Sequence, residues 1–431
     1  MTIKTLKYVP GITTASDVRL PLSKSIAVRA LTLNAVSEAL GNGKARIPQL
    51  PDSEDVAGMI RAMHVYDAQC AAEADARHIV NIGEGGAPFR FFTALAASTP
   101  GTDISVFTRK SLMRRPLSIL IDALRYAGAD IRCMRRDGFP PLRIIGQRLH
   151  PGAITLDPSV SSQFVSAFMM AAPLWDTDLD LRFPAPPVSA PYIRMTAEIM
   201  RRFGCDVTVS DNGTGVRHGE CHAPETFEIE SDWSAASYFY ETALLAPGRE
   251  IRVESLTPAD SSLQGDSRCE EIFRSVGVST TYHSDGSATL RCDPRITEEV
   301  RLGGIPMELD MNATPDLVPA LTVAFGMARL PFRFTSVAHL RHKETDRMAA
   351  LAAEMAKLGI PLTLGDDEMS WDGTLLPPTD GVPQIATYSD HRMAMAFAPA
   401  ALATGEIRIE SPGVTAKSFP GFWKEIAKII G

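Results

Sequence analysis

One hydrophobic phrase recurs along the chain. An apolar helical run closes on glycine and leads within a few residues into a short strand, at 124–128, 200–204, 272–277 and 355–359, and Gly431 closes a fifth copy. Residues 59–63, followed by His64, read as a degenerate first copy, which makes six. Glycine just past a helix takes the left-handed conformation without the clash a side chain would suffer, so each phrase predicts a helix end turned into a strand. Gly128, Gly204, Gly277, Gly359 and Gly431 stand 76, 73, 82 and 72 residues apart. Units of roughly 70 residues exceed the about 20–50 residues of solenoid repeats and can hold several strands and two helices in one packed layer. Residues 251–255 (Ile-Arg-Val-Glu-Ser) and 407–411 (Ile-Arg-Ile-Glu-Ser) alternate apolar and polar, as a sheet with one covered face requires. The pattern predicts six α/β units, three plus three, with the break near residues 230–233. The proline-rich stretch 183–188 reads as an ordered turn rather than a hinge.

The composition is that of a soluble globular protein of two or more domains: 431 residues, 45% hydrophobic and 22% charged. A net charge of -8 argues against a nucleic-acid surface as the main function while leaving room for a local cationic cleft. Six dispersed cysteines without a C-x-x-C pair suggest reduced thiols in a cytoplasm and no metal site. The first 20 residues lack the apolar core of a signal peptide, and the longest apolar stretches, 164–175 and 317–330, are too short or too broken to span a membrane.

Charge concentrates in a few places. Residues 339–347 read His-Leu-Arg-His-Lys-Glu-Thr-Asp-Arg, ahead of a helix with Met348, Leu351, Met355 and Leu358 on its apolar face. Thr345 and Asp346 can cap that helix, which places Lys343, Glu344 and Arg347 around an N-terminus, where anions are favoured. Further polar openings to helices are Ser23-Lys24-Ser25 with Arg29, the glycine-rich turn 83–90, the pair Arg114-Arg115, and the hydroxyl-rich run 159–163. Residues 310–316, 388–392 and 415–418 each put a charge at a helix entry. The glycine pattern of a nucleotide-binding loop is absent, so phosphate is indicated but a nucleotide is not.

With Lys343-Glu-Thr-Asp-Arg347, Asp390-His-Arg-Met-Ala394, Ser161-Ser-Gln163 and Ser189-Ala-Pro-Tyr192 in place, the chain resembles the 5-enolpyruvylshikimate-3-phosphate synthase family over nearly its whole length. The resemblance implies an α/β, two-domain enolpyruvyl-transferase-like fold, each domain three βαβαββ repeats around a pseudo-threefold axis. The expected domains are 22–231, on the shikimate-phosphate side, and 1–21 plus 232–431, carrying the catalytic carboxylates, closing on substrate. The implied reaction moves the carboxyvinyl group of phosphoenolpyruvate to the 5-hydroxyl of shikimate 3-phosphate on the route to chorismate. Phosphate leaves through a tetrahedral intermediate, without metal or organic cofactor, in a cytoplasmic monomer.

By the same resemblance Ser25, Arg29, Ser161, Ser162, Gln163, Ser189, Tyr192, Asp316 and Lys343 would hold shikimate 3-phosphate. Lys24, Gly86, Arg115, Glu344, Arg347, Arg392 and Lys417 would hold phosphoenolpyruvate, and the loop containing Gly86 would also meet the herbicide glyphosate. Asp316 is the candidate base for the hydroxyl, Glu344 the group that exchanges the methylene proton, and Lys24 the one serving the leaving phosphate. Leu22 stands where the family has glycine, His339 where an asparagine meets the shikimate phosphate, Ala190 where lysine is common, and Gly83-Glu-Gly-Gly-Ala87 where the family has G-N-A-G-T. Glu84 would then lie beside a phosphate, and pairing with Arg115 or Lys24 is the expected compensation. The competing readings are a UDP-N-acetylglucosamine carboxyvinyltransferase, which needs a loop cysteine where Cys133 sits in a predicted strand, and a non-catalytic anion-binding relative.

Overall fold

The computed structural model describes residues 2–10, 16–71, 78–109, 112–157 and 161–430. They fold into two compact units: Met1–Pro21 with Glu230–Gly431, and Leu22–Ile229. The first unit takes up the chain again at Glu230, against the 232 expected.

One strand order recurs in both units. In the first, Met307–Asp310 runs parallel to Phe332–Thr335, which pairs antiparallel with Glu368–Trp371, itself antiparallel to Thr363–Leu364. Ser16–Val18, Glu250–Val253, Ala288–Cys292 and Val278–Tyr282 repeat that order. In the second unit it appears in His78–Asn81, Asp103–Phe107, Leu142–Ile145 and Asp130–Cys133, and again in Ala153–Thr155, Leu179–Arg182, Gly213–Val216 and Val207–Ser210. Helices follow the first and second strands of each sheet, so the unit of construction is βαβαββ. The remaining sheet of the first unit has three strands, Gln384–Ile385, Glu406–Glu410 and the N-terminal Ile3–Lys7. The N-terminal segment thus completes two sheets whose other strands lie beyond residue 230. In the second unit the corresponding pairing among the described residues is one parallel bridge, Arg46 to Thr226.

The two helices of a repeat differ in burial. Of Gly86–Ala97 only Ala87 is not buried, of Val318–Met327 only Met327, and His391–Phe397 is buried throughout. Helices apolar on every side belong inside a unit. In the second unit Lys24–Ala39, Gly86–Ala97 and Ser162–Ala171 pack against one another pairwise, which is what a pseudo-threefold axis between three equivalent helices requires. In the first unit Val318–Met327 packs on both Trp233–Leu245 and His391–Phe397. The outer helices are amphipathic; Ala190–Arg202 buries Ile193, Ala197 and Met200 and ends on Arg201 and Arg202.

Gly128, Gly204, Gly277 and Gly359 all take positive φ immediately after helices. At Gly359 a Cβ would lie 2.3 Å from the carbonyl oxygen of Leu376, so the turn also needs the missing side chain. His64 does not end a helix. Glu54–Ala71 runs through it, because Met59, Met63 and Tyr66 keep the buried face continuous. Gly431 and Ser159 lie outside the described residues. Among the described residues no helix is long and apolar enough to cross a membrane.

Candidate active site

The first unit gathers charge where its inner helices begin. Asp316 lies in the turn Pro315–Leu317 ahead of Val318–Met327, and Arg392 in the first turn of His391–Phe397, whose N-cap Asp390 accepts from the Arg392 N–H at 2.9 Å. Arg347 opens the outer helix Arg347–Lys357, capped by Asp346, which accepts from the Ala349 N–H at 3.1 Å. Its guanidinium, 1% exposed, donates from Nε to Asp390 Oδ2 at 2.8 Å, from Nη1 to Asp316 Oδ1 at 3.0 Å and from Nη2 to Glu344 Oε2 at 3.0 Å. Arg392 Nη2 lies 2.8 Å from Asp316 Oδ2, and Lys417 Nζ donates to Glu344 Oε1 at 2.6 Å. Both candidate catalytic carboxylates are therefore fixed, each between two cations.

The balance of burial and charge differs from group to group. Burial pushes the Asp316 carboxyl up, but Arg392, Lys343 and Arg347 outweigh it and hold the carboxyl well below the usual range. Burial works against the charge of Arg347, and the carboxylates of Asp390, Glu344 and Asp316 overcome it, leaving a firmly protonated guanidinium. Burial and the neighbouring Lys343 bring the His339 imidazole down to about 4, so at neutral pH it is an uncharged hydrogen-bonding group.

In the second unit the starts of the inner helices again carry the polar groups. Lys24 opens Lys24–Ala39 and donates to Asp55 Oδ2 at 2.8 Å. Gly86 opens Gly86–Ala97. A Cβ there would meet Arg90 Nη1 at 2.6 Å, and Arg115 Nη1 and Gln163 Oε1 at 3.4 Å, so the bare backbone lets three side chains crowd a helix N-terminus. Arg90 donates to Gln163 Oε1 at 2.9 Å, and Ser161 caps Ser162–Ala171 by accepting from the Gln163 N–H at 3.3 Å. Gly86, Arg90, Arg115, Ser161 and Gln163 thus belong to one polar cluster favourable to an anion, and Asp55, whose Oδ1 would lie 2.9 Å from a Cβ at Gly85, brings Lys24 to its edge.

Arg29 departs from an open binding group. It is 2% exposed and donates to Thr196 Oγ1 at 2.7 Å, to the Ser25 carbonyl at 2.8 Å, to Ser166 Oγ at 3.3 Å and to the Tyr192 carbonyl at 3.4 Å. Burial brings its guanidinium down to about 10, still charged at neutrality. This network ties Ser25 to Tyr192 and to the turn of Ser189, a buried residue held at φ 56°.

Pairing of Glu84 with Lys24 or Arg115 does not occur among the described residues. Lys24 is engaged by Asp55 instead, and Glu84 sits half-buried in the turn before Gly85. Four polar residues have no role assigned from the sequence: Asp55 and Asp266, which no motif includes, and Arg90 and Asp390, which lie within motifs. For Asp390 a signal existed, since an aspartate two residues before Arg392 at a helix start is a cap. Arg90 sits one helical turn after Gly86, whereas its partner Gln163 is far along the chain. Nothing local marks Asp55 or Asp266 beyond an acid near a helix start.

Comparison with known proteins closes the identification. The family model for EPSP synthase (3-phosphoshikimate 1-carboxyvinyltransferase) matches residues 10–426. A 3-phosphoshikimate 1-carboxyvinyltransferase of Bacteroides fragilis (strain YCH46) is 38% identical over 417 residues, covering 96% of this chain and 95% of the relative. That of Tolumonas auensis is 32% identical over 447 residues, covering 99% of each. Among solved structures, an EPSP synthase from Acinetobacter baumannii superposes with a TM-score of 0.73 at 22% identity, covering 100% of this chain and 98% of that one. The enolpyruvyl transferase NikO from Streptomyces tendae shares the fold with a TM-score of 0.69 at 17% identity, covering 99% of this chain and 97% of that one. The chain belongs to the EPSP synthase (3-phosphoshikimate 1-carboxyvinyltransferase) family.

Proposed function

We propose that this protein transfers the carboxyvinyl group of phosphoenolpyruvate to the 5-hydroxyl of shikimate 3-phosphate and releases phosphate, as an enzyme of aromatic amino acid biosynthesis. Support comes from the family and from one observation: Asp316 and Glu344 are joined through Arg347, and each is paired with a further cation, Arg392 or Lys417. A carboxylate held this tightly is a weak base at rest. Both substrates are polyanions, and their phosphates and carboxylates compete for the same cations. As Arg392 and Lys343 turn to the ligand, Asp316 loses part of what depresses its basicity and can accept the hydroxyl proton. As Lys417 turns to the ligand, Glu344 takes up a proton from solvent, delivers it to the methylene carbon in the addition and recovers one in the elimination. Lys24 serves the departing phosphate.

In the second unit, the cluster of Gly86, Arg115 and Gln163 suits phosphoenolpyruvate, and Ser25, Ser161, Ser162, Ser189 and Tyr192 suit the hydroxyls and phosphate of shikimate 3-phosphate. Arg29 contributes by holding Ser25 and Tyr192 in place. His339, uncharged at neutral pH, would offer the phosphate a hydrogen bond where the family has an asparagine. Transfer to a UDP-sugar assisted by cysteine finds no support: Cys133 lies in the strand Asp130–Cys133, where burial pushes its thiol up. All six cysteines are free, which fits a cytoplasmic enzyme, and we read it as a monomer. The test is phosphate release from phosphoenolpyruvate with shikimate 3-phosphate as acceptor. Release only with the UDP-sugar, or with neither acceptor, would overturn the assignment.

A further inference from the structure

Behind Arg392 lies an acid that the proposed chemistry does not use. Asp266, 4% exposed, sits in the turn Gly265–Arg268 leading into the outer helix Cys269–Ser275. Its Oδ2 is hydrogen-bonded by the hydroxyl of Ser234, in the first turn of the inner helix Trp233–Leu245. Ser234 Oγ in turn accepts from Arg392 Nη2 at 3.4 Å, and the same nitrogen lies 2.8 Å from Asp316 Oδ2. A row therefore runs Asp316, Arg392, Ser234, Asp266. One guanidinium nitrogen is shared between a carboxylate at the candidate site and a hydroxyl polarised by a second, buried carboxylate.

We propose that Asp266 is a positioning residue for Arg392, acting through Ser234, and that its ionisation weakens the hold of Arg392 on the anionic substrate. The proposal rests on the assignment of Arg392 to phosphoenolpyruvate made above. When Asp266 is ionised it accepts the Ser234 hydroxyl hydrogen bond at full strength, which makes the serine oxygen a better acceptor and draws Arg392 Nη2 backward. It also adds a negative charge behind the cation. When Asp266 carries a proton, Arg392 is left to Asp316 and to an incoming phosphate or carboxylate.

The charged groups bearing on Asp266 are Asp316 from the turn Pro315–Leu317, Arg392 from His391–Phe397 and Asp232 from the cap of Trp233–Leu245, with the Cys269 thiol next to it. Burial first, and then the charge of Asp316, push the Asp266 carboxyl up to about 7, against the opposing pull of Arg392 and the Ser234 hydrogen bond. The switch thus falls where small pH changes matter. Linkage makes the effect reciprocal: an anion bound to Arg392 raises the Asp266 value further, and ionised Asp266 weakens the anion by the same factor.

The experiment has two arms. In the first, carbonyl carbons of aspartate are labelled and titrated by NMR in the full-length protein, with and without phosphoenolpyruvate. One carboxyl should titrate near neutrality, vanish in Asp266→Asn and move up by about one unit on adding the ligand, which corresponds to tenfold in affinity. In the second, steady-state kinetics are followed from pH 6 to 8.5. The KM for phosphoenolpyruvate should rise roughly tenfold in the wild type and stay nearly flat in Asp266→Asn, while kcat changes little. Ser234→Ala removes the donor that favours the ionised form, so its inflection should move to higher pH. That variant answers the question even if Asp266→Asn fails to fold. A wild-type pH profile retained in Asp266→Asn, or an unmoved inflection in Ser234→Ala, overturns the relay. A carboxyl that titrates and shifts with ligand in a protein that releases no phosphate supports the relay and refutes the assigned reaction.

Discussion

Asp390 is the residue on which the geometry of the carboxylate cluster depends most, and Asp390→Asn is the perturbation that exposes this. Its carboxylate, 0% exposed, accepts from Arg347 Nε at 2.8 Å, from Arg347 Nη2 at 3.5 Å and from the Arg392 N–H at 2.9 Å. Asparagine keeps the cap, since it is as good an N-cap as aspartate. It cannot keep the rest: its NH2 group is a donor, and facing Arg347 it would set donor against donor. A charge pair near 4 Å at an effective dielectric of about 20 is worth roughly 4 kcal/mol, of which part returns because Asp390 no longer has to be desolvated. Arg347 retains Asp316 and Glu344, so it is not left without counter-charge. A net loss of about 2–4 kcal/mol follows, and at roughly 2–4 °C per kcal/mol for a unit of this size the melting transition should fall by about 4–16 °C. Arg347 will then lean on Asp316 and Glu344, and kcat should fall by about ten- to a hundredfold. Calorimetry and phosphate-release kinetics on the same preparation measure both. A transition within 2 °C of wild type together with unchanged kcat would refute the idea that Asp390 sets the cluster.

Glu344→Gln should fold and bind both substrates yet lose about 100- to 10,000-fold in turnover, the usual worth of a general acid–base group; near-normal turnover in steady-state kinetics removes Glu344 from that role. Glu241, completely buried on Trp233–Leu245 and without a hydrogen-bond partner at either carboxyl oxygen among the described residues, has its carboxyl pushed well above the usual range by burial. The folded state therefore keeps a proton that the unfolded chain releases, so this contribution is fully present below the ordinary carboxyl value. It is lost as pH rises toward the folded one, by up to about 1.4 kcal/mol per unit. Urea unfolding at pH 5, 7 and 8.5 should show that loss in the wild type and not in Glu241→Leu, and identical pH slopes would contradict it. Glu84→Gln, which removes from the turn before Gly86 a like charge without an ion-pair partner among the described residues, should lower the KM for phosphoenolpyruvate several-fold by Coulomb's law, and an unchanged KM would place the carboxylate away from the ligand.

Much of the fold is local and could be read from the chain. A glycine after each of four helices is a local steric fact, and the positive φ at Gly128, Gly204, Gly277 and Gly359 follows from it. The cap at Asp346 and the apolar face of Met348, Leu351 and Met355 are local in the same way. What escaped was pairing at a distance. Lys24 could have met Glu84 or Asp55 on charge alone, and only the packing of Lys24–Ala39 against Glu54–Ala71 selects Asp55. The resemblance gives Arg29 to shikimate 3-phosphate, but its neighbours Ser166, Tyr192 and Thr196 come from another repeat and bury it. The phrase at 59–64 resembles a helix end without its glycine, whereas the apolar periodicity through Tyr66 carries the helix on to Ala71.

In the proposed function Asp316 and Glu344, with the cations around them, turn phosphoenolpyruvate and shikimate 3-phosphate into product and phosphate. The direct measurement is phosphate release by the full chain with shikimate 3-phosphate or UDP-N-acetylglucosamine as acceptor, run beside Glu344→Gln. Release is expected with shikimate 3-phosphate only, reduced at least about a hundredfold in the variant. Release with the UDP-sugar, no release with either acceptor, or equal rates for the two proteins would contradict it.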